Sequence, residues 1–245
     1  MSSKPQLVVA LDLPAYAPAL RLARKLKGLV PWLKVGLELF GATGPRMVTA
    51  LKDMDFKVFL DLKFHDIPNT VQRAVLATSR LGADMLTLHL SGGERMALAA
   101  LEAVGSADHK PLLFGVTLLT STAPGELFAS RAQSAEALAN LAKKMAIQAH
   151  RLGLDGVVCS GRDLGRIKRA TGLCCLTPGI RLAPQADDQR RVVSPAQAVR
   201  QGADYLVVGR PISAAPDPVQ AAHEILQAMN HAALATGGQQ QGRRS

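Results

Sequence analysis

Residues 57–70 read KVFLDLKFHDIPNT. The apolar run Val58-Phe59-Leu60 is followed by Asp61, Lys63, His65 and Asp66 within six positions, and then by Pro68. Apolar β-forming residues predict a strand over 57–64. Proline is tolerated in the first turn of a helix and not in its interior, so a helix is expected to start beside Pro68 and run over 69–81. One question remains: why a strand that reads as buried should end in so much charge.

The same strand-then-helix unit recurs. Near-continuous apolar runs fall at 6–12, 32–36, 57–64, 85–90, 112–119, 156–160, 174–180 and 205–210. That texture belongs to parallel strands covered on both faces. Helical patterns follow at 17–26, 45–51, 69–81, 94–104, 135–152, 163–170, 195–201 and 218–229. Several end at a glycine (Gly28, Gly82, Gly105, Gly153, Gly172), as a C-terminal cap does. Eight such alternations in 245 residues predict an α/β fold of the (β/α)8 TIM-barrel type. A doubly wound sheet is the competitor, but no GxGxxG follows the first run. The barrel is read as one domain over 1–235, with the polar segment 236–245, TGGQQQGRRS, expected to be a disordered tail.

In a barrel of this kind the chemistry gathers at the C-terminal ends of the strands, and alternate residues share a face. Val8, Ala10 and Asp12 then share one face, Lys34 and Gly36 another, and Phe59, Asp61 and Lys63 a third, with His65 as a possible extension. The helix side of each strand must be apolar, so Asp12, Lys34, Asp61 and Lys63 are expected to turn into the barrel mouth. Two readings stand for this array. It is either a buried ion-pair plug or a reactive site. Buried ion pairs are costly and stabilise poorly, which favours the site. Asp66 has its own bland reading, as a cap for the helix that follows, and His65 and His89 read first as structural histidines.

The far end of the chain supplies a complement. TPGIR (177–181) and VVGRP (207–211) close the seventh and eighth strands, where many barrels bind phosphate. Gly209 admits an oxyanion close to the backbone, and Arg181 and Arg210 can grip one. The polar stretch after Arg181 reads as a candidate lid.

Composition removes other classes. The net charge of +10 is spread along the chain, and aromatics at 4% are too sparse for a base-stacking platform. No apolar run approaches the roughly 20 residues of a membrane span. The N-terminus meets charge too early for a secretory signal, so a cytoplasmic setting is expected. Cys159, Cys174 and Cys175 read as small buried hydrophobes rather than a disulfide or zinc set. There is no convincing metal-ligand spacing, phosphate-cradling loop or nucleophile elbow. From the residues alone, the chain is a cofactor-free barrel enzyme for a phosphorylated anion, built on paired lysines and aspartates.

DLKFHDIPNT (61–70) is similar to the signature of the orotidine 5′-phosphate decarboxylase family. VVALD, LKVGLELF, TLHLSGG, GVTLLTS, TPGIR, DQRR and GADYLVVGRP resemble further family segments in matching order, so the resemblance covers nearly the whole chain. The bacterial branch is the most similar. It implies a homodimer of barrels, no metal or organic cofactor, and conversion of orotidine 5′-phosphate to UMP. It implies Lys63 as proton donor to C6 of the pyrimidine and Asp61 beside the scissile carboxylate. Lys34 would complete the charge network and, with Asp12, bind ribose. Asp66, Ile67 and Thr70 would belong to the substrate site, with Asp66 and Thr70 reaching into the partner's. Thr120 would lie near the base. Gln189 would bridge base and phosphate, and Arg181, Gly209 and Arg210 would hold the phosphate. No nucleic acid or membrane partner is implied. Two alternatives remain open on the residues. One is a metal-dependent sugar-phosphate decarboxylase or aldolase of the same barrel group, and the other a non-catalytic nucleotide- or RNA-binding protein.

Overall fold

Each apolar run becomes a strand, and the strands pair in sequence order until the last meets the first. The computed structural model describes residues 4–126, 133–182 and 192–241. In chain order the elements are β1 (Gln6–Ala10), α1 (Tyr16–Leu26), β2 (Trp32–Gly36), α2 (Leu37–Thr43), α3 (Pro45–Lys52), β3 (Lys57–Phe64), α4 (Pro68–Ser79) and β4 (Met85–His89). They continue through a 3₁₀ turn at Leu90–Gly92, α5 (Glu94–Ser106), β5 (Leu112–Val116), α6 (Ala135–Leu152), β6 (Gly156–Val158), α7 (Leu164–Thr171) and β7 (Cys174–Thr177). Last come α8 (Pro195–Arg200), β8 (Tyr205–Val208), α9 (Arg210–Ser213) and α10 (Pro218–Gln241). All pairings are parallel and the eight strands form a closed barrel. The fold is a (β/α)8 TIM barrel.

The barrel interior is filled by side chains of one strand parity: Val8, Ala10, Trp32, Phe59, Met85, Phe114, Val116, Val158, Leu176 and Val207. Tyr205 meets Trp32 and Phe114 edge-on, with ring centroids 5.6 and 5.8 Å apart. Gly156 makes room for this layer, because a Cβ there would sit 2.4 Å from the Phe114 ring. The other parity, with Leu7, Val9, Leu33, Leu60 and Leu86 among it, packs against the helices. Burial of both faces explains why the strands read as unbroken apolar runs.

A clamp recurs at the N-terminal ends of the strands. The main chain of Asp84 donates to Val58 O, and its carboxylate accepts from Val58 N–H at 2.7 Å and from Lys52 Nζ at 2.6 Å. Asp204 does the same with Cys175 (N–H at 2.7 Å) and Lys168 (2.6 Å). Asp155 does it with Leu113 N–H at 2.8 Å. Each aspartate thus ties an even strand to the strand before it.

Some boundaries differ from the sequence-based ones. β1, β5, β6, β7 and β8 stop two or three residues early; after β5 and β7 the apolar pattern carries on in Leu118, Leu119 and Ile180 beyond the ladder. α2 and α9 were not foreseen. α10 runs past Met229 through Gln241, into the segment expected to be a tail. Ala222, Ile225, Met229 and Ala232 form its buried stripe, and the Thr236 hydroxyl donates to Ala232 O at 2.8 Å. Residues 242–245 lie outside the described residues. Cys159 and Cys175 are buried and unpaired, as expected, whereas Cys174 is exposed, because it opens β7 at the rim. Contact with the Cys175 thiol, and then burial, pushes the Cys159 thiol well above its ordinary value.

Candidate active site

The C-terminal ends of the strands surround a cavity of about 570 Å³. That volume suits a small organic ligand. Asp12, Lys34, Asp61, Lys63, Thr120, Arg181, Gly209 and Arg210 all line it. Strand alternation accounts for this convergence, since Asp12 follows Ala10, Lys34 pairs in register with Phe59, and Asp61 follows Phe59.

The four charges form one chain of contacts. Lys34 Nζ lies 2.8 Å from Asp12 Oδ1 and 3.7 Å from Asp61 Oδ2. Lys63 Nζ lies 2.7 Å from Asp61 Oδ2. The Asp61 and Lys34 side chains are each only 10% exposed, so Asp61 sits at the floor between two ammonium groups. Signs alternate along the array, so each charge meets an opposite one. Gly36 leaves room for the Lys34–Asp12 pair, since a Cβ there would stand 2.8 Å from Lys34 Nζ and 3.2 Å from Asp12 Oδ1.

The backbone departs from a regular strand at this point. β3 pairs with β4 at Leu60↔Leu86 and again at Phe64↔Leu88, so residues 61 to 63 stand opposite the single Thr87. Lys63 takes φ 50°, the left-handed region. Thr87 accepts the Lys63 main-chain N–H at 3.0 Å and donates its hydroxyl to Asp61 Oδ1 at 2.9 Å. Thr87 was not foreseen as part of the site. Its only signal in the sequence is a lone hydroxyl within the apolar stretch 85–90.

Further round the same cavity, Pro178, Gly179 and Arg181 follow β7, and Gly209 and Arg210 follow β8. Arg181 is buried and donates from Nη1 to Ile180 O at 2.9 Å. Its main-chain N–H donates to Val193 O, and Val193 N–H donates to Gly179 O, which ties together the two ends of the segment between them. Gln189 lies outside the described residues, as do 183–191 generally. Glu38, at the start of α2, and Ser121 also line the cavity and had not been singled out.

Asp66, Ile67 and Thr70 are exposed and do not line this chain's cavity. Asp66 does not cap α4 either. The helix has Ile67 at its N-cap with no side-chain cap bond, and the Asp66 carboxylate accepts from Ile67 N–H at 2.6 Å. His65 and His89 pack with ring centroids 5.4 Å apart and are not among the cavity-lining residues. Burial, then the His65 and Lys63 charges, lowers His89 below its ordinary 6.5, against an opposing pull from Asp61. Among the described residues, no group of three or more His, Cys, Asp and Glu side chains is placed to hold a metal ion, and no helix is long and apolar enough to cross a membrane.

Comparison with known proteins leads to the same place. Residues 5–225 match the family model described as "Orotidine 5'-phosphate decarboxylase / HUMPS family". A protein of Nitratidesulfovibrio vulgaris (strain DP4) named orotidine 5'-phosphate decarboxylase is 54% identical over 232 residues, covering 91% of this chain and 97% of its own. One of the same name from Maridesulfovibrio salexigens is 50% identical over 92% of this chain and 99% of its own. The crystal structure of orotidine 5'-phosphate decarboxylase from Lactobacillus acidophilus superposes with a TM-score of 0.80 at 33% identity, over 93% of this chain and all of that one. The charge array, the barrel and these relatives agree, and the chain belongs to the orotidine 5'-phosphate decarboxylase family.

Proposed function

We propose that this chain converts orotidine 5′-phosphate to UMP and CO2 with its own side chains, and that Lys63 supplies the proton. The observation that carries the reading is the Lys34–Asp61–Lys63 array, which shares one cavity with Arg181, Gly209 and Arg210. When the bond from C6 to the carboxylate breaks, its electron pair stays on C6 and CO2 departs. The carbanion has no conjugated sink, so its stabilisation must be electrostatic. In this reading the Lys63 ammonium stabilises that charge and then transfers a proton to C6. Asp61 holds Lys63 by a 2.7 Å contact and sits beside the departing carboxylate. Lys34 and Asp12, joined at 2.8 Å, face the ribose hydroxyls. Thr120 lies towards the base. Arg181, Arg210 and the Gly209 backbone take the phosphate, with Gln189 reaching in from 183–191. Binding energy from that remote phosphate is available to assemble the site.

A homodimer belongs to the same reading. Ile67 is 65% exposed and Leu37 62% exposed, next to the strand ends that carry Asp61 and Lys34. A second copy covering them would bring Asp66 and Thr70 towards its own cavity.

The test is to add orotidine 5′-phosphate to the purified protein in the presence of a chelator and follow the ultraviolet spectrum of the pyrimidine. Conversion to UMP is expected. Conversion that requires added metal would transfer the chain to the metal-dependent members of this barrel group. UMP binding without turnover would make it a binding protein.

A further inference from the structure

We infer that Thr87 is a positioning residue for this reaction, fixing Asp61 and Lys63 relative to each other without touching substrate. The inference rests on the decarboxylase reading above. Thr87 is fully buried and is not among the cavity-lining residues. Its role follows from the irregularity in β3. Three residues of β3 face one of β4, so the ladder cannot pair every main-chain group there. The Lys63 N–H is one group left over, and Thr87 Oγ1 receives it at 3.0 Å. An amide can only donate, so the hydroxyl must accept at that contact. Its single proton then points to its other partner, Asp61 Oδ1, 2.9 Å away.

One side chain therefore sets two coordinates of the site. It holds one oxygen of Asp61, leaving Oδ2 to face Lys63 at 2.7 Å and Lys34 at 3.7 Å. It also secures the left-handed turn at Lys63, φ 50°, which a non-glycine residue adopts only when its surroundings enforce it. At that turn the Lys63 ammonium lies 2.7 Å from Asp61 Oδ2. Without the hydroxyl the Asp61 carboxylate is free to rotate, and the Lys63 N–H is buried without an acceptor. The reacting ammonium then loses its fixed position, which costs rate more than binding.

Thr87→Val removes the hydroxyl at nearly constant shape, and Thr87→Ser keeps it. Both are assayed beside the wild type for UMP formation in chelator, with UMP affinity and unfolding midpoint measured on the same samples. For Thr87→Val, kcat is expected to fall roughly ten- to a hundredfold, the span for losing a bond to a charged group, with KM and UMP affinity within about threefold. Thr87→Ser is expected to recover kcat to within about threefold of wild type. Wild-type kcat in folded Thr87→Val, a loss confined to KM, or a loss that serine does not restore overturns the proposal. If Thr87→Val does not fold, Thr87→Cys, of similar size and weak hydrogen bonding, is judged by the same criteria. If the wild type itself makes no UMP, the decarboxylase reading fails. The positioning claim is then decided by hydrogen exchange at the Lys63 amide, where faster exchange in the variant supports it and unchanged exchange overturns it.

Discussion

Lys63 Nζ rests 2.7 Å from Asp61 Oδ2, at the point where Lys63 leaves the β conformation for φ 50°. The charge pair thus sits on a stretch of backbone that carries some cost.

That cost gives the first prediction. Lys63→Ala should abolish turnover, on the order of ten thousandfold or more, if the ammonium both stabilises the carbanion and protonates it. Nucleotide binding should survive in part, because the phosphate contacts are remote. An active Lys63→Ala enzyme would remove Lys63 from the mechanism. Lys63→Gly should be as inactive but more stable than Lys63→Ala by about 1 kcal/mol, since glycine takes the left-handed conformation without a Cβ clash. Urea midpoints of the two inactive variants check this.

His89 predicts a pH effect. Burial and the adjacent cationic groups lower it below 6.5, so the folded protein binds that proton less readily than the unfolded chain. The neutral ring's contribution to stability is complete above the unfolded value. It is lost as pH falls from there through the folded value. The urea midpoint of the wild type should therefore drop between about pH 7.5 and about pH 5.5 by more than that of His89→Gln. Equal slopes would mean that His89 titrates alike in both states.

The aspartate clamps predict where stability resides. Asp84→Ala and Asp204→Ala should each cost about 2 kcal/mol, since each removes the acceptor of a strand N–H together with a lysine contact. The clamps lie on separate strand pairs, so the double variant should lose nearly the sum. Near-wild-type kcat in the folded fraction is expected, because the clamps face away from the cavity mouth. Chemical denaturation with activity measured on the same samples decides both points.

The eight strands were legible because barrel strands are buried on both sides and advertise themselves as apolar runs. The inward parity of Asp12, Lys34, Asp61 and Lys63 was legible for the same reason, as a charge cannot face the helix layer. α2 was not, because LELFGAT follows Gly36 without a break in its apolar texture. The clamps left a trace in the sequence as Gly-x-Asp at 82–84, 153–155 and 202–204. Their partners, however, lie on other strands and appear only when the barrel closes. Thr87 was out of reach altogether. Its role depends on the extra residues of β3, and strand alternation assumes that no residue is extra.

Asp66 yields the last prediction, because it is exposed in a single chain and the homodimer proposed above would carry it into a shared site. If two copies share sites, Lys63→Ala and Asp66→Asn should each be inactive alone. Mixing them after dissociation should restore activity. A heterodimer then holds one site with both defects and one with neither, because Lys63 comes from one subunit and Asp66 from the other. Random pairing makes half of the dimers mixed, each with one intact site, so about a quarter of wild-type activity should return. Sedimentation of the mixture establishes that dimers re-form. Re-formed dimers without activity would place Asp66 in the site of its own chain or outside the mechanism, and activity above that level would mean that one of the single variants is not silent.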